Sequence, residues 1–106
     1  MAGNIIYLDD SNFENEIASG VTLVDFYADW CGPCRMIAPI VEALSTSFAG
    51  KAKVAKLDIE AAQHTTATYQ VTSIPTIIFF KDGKEANRIV GVRDQATLQS
   101  ILEGLL

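Results

Sequence analysis

At 106 residues, 49% of them hydrophobic, the chain is long enough for one compact core and too short for two, so a single domain over residues 1–106 is expected. Eight basic against thirteen acidic side chains leave a net charge of −5, with no basic cluster, which favours solubility and argues against nucleic acid as a partner. Met1 to Asp10 lacks the basic start and apolar run of a secretory leader, and no apolar stretch approaches a membrane span. A reducing cytoplasm is the expected setting.

In chain order, Ile5 to Leu8 is a short apolar strand candidate. Ser11-Asn12-Phe13-Glu14 has the spacing of a capping box and predicts a helix to about Ala18, closed by Gly20. Val21 to Ala28 is an almost unbroken apolar run rich in β-branched and aromatic residues, the pattern of a strand buried on both faces, with Asp25 interrupting it. From Pro33 to about Phe48 the residues Ile37, Ile40, Val41, Leu44 and Phe48 recur at helical spacing, and Pro39 inside that segment predicts a kink. Val54 to Ile59 is the next strand, which makes a right-handed parallel strand–helix–strand unit. Ala61 to Tyr69 is a weak helix, because Thr65, Thr66 and Thr68 lower its propensity. Thr76 to Phe80 and Glu85 to Val90 flank Asp82-Gly83 as an antiparallel hairpin. Asp94 can cap a final helix with Leu98, Ile101, Leu102 and Leu105 on one stripe. The order βαβαβαββα implies an α/β fold with helices on both faces of a mixed sheet.

The chemistry-bearing stretch is Trp30-Cys31-Gly32-Pro33-Cys34, which holds both cysteines where the buried strand gives way to a helix. Residues three apart on a helix have Cβ atoms about 5 to 6 Å apart, while a disulfide needs roughly 3.5 to 4.5 Å, so one cysteine should sit just outside regular helix. Cys31 fits that place, since Gly32 permits a tight turn and Pro33 suits the first helical positions. There a thiol faces unpaired backbone N–H groups and the positive end of the helix dipole, which favour thiolate. Cys31 is therefore the expected nucleophile and Cys34 the resolving thiol, attacking the mixed disulfide at high effective concentration. A zinc site competes poorly, because His64, the only histidine, lies some thirty residues downstream and about four ligands are needed. A purely structural bridge is a second alternative, but one enclosing two residues removes little entropy from the unfolded chain. Two inert buried thiols are a third, disfavoured by the Gly-Pro turn between them.

Other residues tune this chemistry. An isolated carboxylate at Asp25 is costly to ionise in a doubly buried strand, so its pKa should be raised and it can accept the proton of Cys34 directly or through water. The competing reading is a carboxylate hydrogen-bonded to backbone near the strand end. Lys56, in the neighbouring strand pattern, can modulate Asp25 or snorkel to solvent. No chemistry is assigned to His64. Pro75 stands at the start of a strand, where the missing donor is tolerated, and on sequence grounds alone a trans bond is the default. Gly91 marks either a close backbone approach or an ordinary turn.

These residues together resemble the thioredoxin family over essentially the whole chain. Asp25-Phe26-Tyr27-Ala28-Asp29-Trp30-Cys31-Gly32-Pro33-Cys34 is similar to its active-site strand and turn, and Pro39, Lys56, Pro75-Thr76, Asp82-Gly83 and Gly91 fall at its other landmarks. The resemblance implies a five-stranded sheet of order 1-3-2-4-5 with four helices, and a cis Ile74–Pro75 bond packed against the disulfide. It implies an apolar docking surface of Trp30, Gly32, Pro33, Ile74, Pro75, Val90, Gly91 and Val92, with Ile74 backbone pairing to an extended substrate. Asp25 and Lys56 carry over as the proton-transfer pair. The implied activity is protein-disulfide reduction by a monomer that binds no cofactor and is recycled by thioredoxin reductase with NADPH. A disulfide oxidase or isomerase, or a redox-independent binding module around Trp30, are the alternatives. Tyr27 departs from the tryptophan common in bacterial members, and the Ala61 to Tyr69 segment follows the family pattern poorly, which leaves the reductase partner open.

Overall fold

The computed structural model describes residues 4–106; the first three positions of the stretch read as lacking a leader lie outside the described residues. Along the chain run β1 (Ile5–Leu8), α1 (Phe13–Ile17), β2 (Val21–Tyr27), α2 (Gly32–Ser47), β3 (Lys53–Asp58), α3 (Gln63–Thr68), β4 (Thr76–Lys81), β5 (Lys84–Val90) and α4 (Gln95–Leu105). The five strands form one sheet in the order β1-β3-β2-β4-β5, as expected. β3 pairs parallel with β1 and β2, whereas β4 runs antiparallel to both β2 and β5.

β2 lies at the centre because its first six residues are buried and can be covered on both faces. Val21 and Leu23 point to the layer of α2 and α4, where Ile37, Val41, Leu44, Leu98 and Leu102 pack. Val24 and Phe26 point to the opposite layer with Phe13, Ile17, Leu57 and Phe80. Alternation along the strand therefore places Asp25 on the α2 side.

Two local expectations change. The Ser11 capping box does not form: α1 begins at Phe13, its N-cap Asn12 makes no side-chain cap, and Asp9 instead gathers the Ser11 and Asn12 N–H groups. Asn12 Oδ1 accepts from the Asp9 N–H, so this corner closes on itself before the helix starts. α3 is shorter than the Ala61–Tyr69 expectation, and its opening N–H groups at His64 and Thr65 donate to Asp10, a cap supplied from a distant loop. α2 continues as one helix on both sides of Pro39. The hairpin turn forms as read, with positive φ at Asp82 (50°) and Gly83 (85°) matching the twist of the flanking strands. The Asp94 cap also forms, accepting from the Thr97 N–H at 2.9 Å.

Candidate functional site

The site lies where β2 ends and α2 begins. Cys31 is the N-cap of α2, with extended φ of −88° and ψ of 113°, and Pro33 occupies the first helical turn, where its missing N–H leaves no bond unmade. This geometry brings the Cα atoms of Cys31 and Cys34 to 5.2 Å and the two sulfurs are joined as a disulfide. Both thiols that a zinc site would need are thus spent on each other. Among the described residues no group of three or more His, Cys, Asp or Glu could hold a metal ion.

Exposure does not distinguish the two sulfurs, since Cys31 is 5% and Cys34 4% accessible. Their neighbours do. Cys31 Sγ accepts the Cys34 N–H at 3.2 Å, one of the free donors at the positive end of α2, and lies 3.8 Å from the Ile74 carbonyl oxygen. Cys34 instead lines a depression of about 140 Å³ together with Tyr27, Ala28, Asp29, Arg35, Ala38 and Lys56. Two larger depressions, of about 270 and 280 Å³, lie elsewhere and contain neither sulfur.

Asp25 is fully buried, and neither carboxylate oxygen has a hydrogen-bond partner. The alternative of a backbone-bonded carboxylate is overturned, because β2 is paired on both sides and its N–H groups serve the ladder. Burial pushes the Asp25 carboxyl up to about 7, against a smaller downward pull from the Lys56 charge. Lys56 sits opposite Asp25 in the β2–β3 register, yet its ammonium rests 4.5 Å from the centroid of the Tyr27 ring. His64 is exposed on α3.

The Ile74–Pro75 bond is cis, as the resemblance implied and contrary to the sequence default. Ile74 packs against the cluster of Ala28, Cys31 and Cys34. Gly91 donates its N–H to the Pro75 carbonyl at 2.9 Å, and its φ of 97°, with no backbone atom where a Cβ would stand, makes it a turn glycine rather than a close backbone approach. Trp30 (64% accessible) and Val90 are exposed large hydrophobics, Gly32 and Pro33 are exposed, and Val92 is half-buried. Two further residues were not singled out from sequence. Glu60 accepts the Trp30 indole N–H at 2.9 Å, and Arg35 donates to the Asp29 carbonyl at 2.8 Å beside Cys34. Arg35 was within reach of sequence reasoning as the residue following the dithiol; Glu60 carries no motif.

The thioredoxin family model matches residues 4–104. Thioredoxin of Staphylococcus saprophyticus is 48% identical over 99 residues, which cover 93% of this chain and 95% of that protein. Thioredoxin of Staphylococcus aureus is 46% identical over the same shares of the two chains. Among solved structures, a mutant thioredoxin from Halobacterium salinarum superposes with a TM-score of 0.89 at 34% identity, covering 98% of this chain and 92% of that one. A disulfide closed at the mouth of α2, a cis proline beside it and these matches along nearly the whole chain lead to one conclusion: the chain belongs to the thioredoxin family.

Proposed function

We propose that Cys31 is the attacking and Cys34 the resolving sulfur of a protein-disulfide reductase, the activity that family membership and the Cys31–Cys34 disulfide support. The observation that carries the assignment is the Cys34 N–H aimed at Cys31 Sγ. In the reduced protein this donor and the α2 dipole favour a thiolate at Cys31. That thiolate attacks a substrate disulfide, forms a mixed disulfide and releases one substrate thiolate. Cys34 then loses its proton to Asp25, attacks Cys31 Sγ and re-forms the internal bridge, releasing the second substrate thiolate. Two electrons pass from the dithiol to the substrate, and the redox group is the chain's own.

Asp25 suits the acceptor role because a carboxyl titrating at about 7 exchanges its proton readily at neutral pH. Trp30, Gly32, Pro33, Ile74, Val90, Gly91 and Val92 form the docking surface, with Pro75 buried beneath it and substrate pairing to Ile74 backbone. Thioredoxin reductase with NADPH regenerates the dithiol in a cytoplasmic setting, and the protein works as a monomer.

Insulin reduction with NADPH and a thioredoxin reductase tests this reading. Turnover is expected for the parent and none above background for Cys31→Ser. Cys34→Ser should accumulate a mixed disulfide through Cys31, and trapping through Cys34 in a Cys31→Ser chain instead would reverse the assignment.

A further inference from the structure

A lysine ammonium is strongly hydrated and rides on a flexible stem, so its place near a buried acid has to be held by something. Lys56 shares a sheet row with Asp25, and residues so paired project to the same face. Among the described residues no carboxylate forms an ion pair with Lys56, although the carboxyl of Asp25 has no other partner. Its ammonium lies over the Tyr27 ring instead. Around this contact stand Asp25 and Asp29 along β2 and its end, Asp58 on β3, Tyr7 on β1 opposite Lys56, and Cys34 and Arg35 on α2. Burial raises the Tyr27 phenol, and the charges of Asp58 and Asp29 add to it, so the ring stays neutral and keeps its full face for a cation.

We propose that Tyr27 is a positioning residue, whose ring face keeps the Lys56 ammonium at the rim of the Asp25 pocket and so fixes the field in which Asp25 exchanges its proton. With the ring removed, the ammonium swings out to water. Asp25 then loses part of the charge that favours its ionised form. An aromatic residue of any kind at this position preserves the arrangement, whereas an aliphatic one of similar bulk does not. This deepens the reading of Asp25 as proton acceptor, on which its kinetic meaning rests.

The test is a carboxyl-carbon NMR titration of Asp25 in the oxidised full-length chain. Tyr27→Leu is expected to raise the Asp25 midpoint by roughly half a pH unit, the size a cation–π contact at a partly exposed site can hold. Tyr27→Phe should leave it near the parent value. In a Lys56→Met background, Tyr27→Leu should add nothing further. An unchanged midpoint in Tyr27→Leu, or the same displacement with Lys56 absent, overturns the proposal. Without any variant, the ε-methylene protons of Lys56 in the parent should be shifted upfield by the ring, and unshifted protons equally overturn it. Failure of the acceptor reading shows elsewhere, as an Asp25→Ala chain whose mixed disulfide resolves at the parent rate.

Discussion

Asp25 couples the site to the stability of the chain. Its carboxyl titrates at about 7 when folded against an ordinary 3.8, so between roughly pH 4 and 7 the folded state holds a proton that the unfolded chain has lost. Stability therefore falls as pH rises across that window and levels off above it, at a cost on the order of 4 kcal/mol. Asp25→Ala removes the cost and leaves a small cavity. Urea unfolding should find the variant more stable than the parent by about 2 kcal/mol at pH 8, with the gain gone near pH 4 to 5. Rapid-mixing kinetics should show its mixed disulfide forming normally and resolving more slowly. Glu60 holds the Trp30 indole: Glu60→Ala frees it, and steady-state insulin reduction should show KM rising roughly threefold with kcat near the parent. At this scale the sequence displayed Asp25 as a charge inside an apolar run, but not that its oxygens lack every partner. Strand pairing on both sides of β2 takes the backbone donors away from Asp25, and no local pattern encodes that pairing. Glu60 carries no local signal because its bond to Trp30 spans thirty residues of chain.

Among the elements, those with chemistry at their own ends were legible and those finished by another part of the chain were not. Gly32-Pro33 announces the start of α2, Asp82-Gly83 the hairpin, and Asp94 the start of α4. α3 has no such signal, because its cap is Asp10, which accepts from Thr65 N at 2.9 Å and Thr65 Oγ1 at 2.7 Å across 55 positions. The same bonds hold the Asp10 carboxyl below its usual range. The cap is therefore complete above the ordinary carboxylate range and is lost as pH falls through the depressed value. Asp10→Ala should lower the thermal midpoint by a few degrees and speed amide exchange first in Gln63–Thr68. Exchange rising uniformly over the chain would remove Asp10 from that role. The capping-box reading of Ser11 failed for a related reason: the Asp9 carboxylate, exposed and two residues away, outcompetes the helix for the local N–H groups.

The whole molecule is two apolar layers divided by one sheet. Phe80 packs edge-on to Phe13 and Tyr69 in the α1 and α3 layer, while Leu102 sits among α2 and α4 residues in the other. Phe80→Ala should cost about 3 to 5 kcal/mol and Leu102→Ala about 2 to 5. Because no side chain is shared between the layers, the double variant should match the sum within about 0.5 kcal/mol by chemical denaturation. The layering was legible because apolar residues recur at helical spacing in α2 and α4 and dominate β2 and β4. The sheet order was not, since nothing in a strand's own pattern names its neighbours, and it came through resemblance. One further consequence belongs to β5. This outer strand carries Lys84, Glu85, Asn87 and Arg88, with a register irregularity at Phe79/Phe80. Charge and bend make it a poor template for a visiting backbone. On this side the sheet therefore resists growth by a sixth strand.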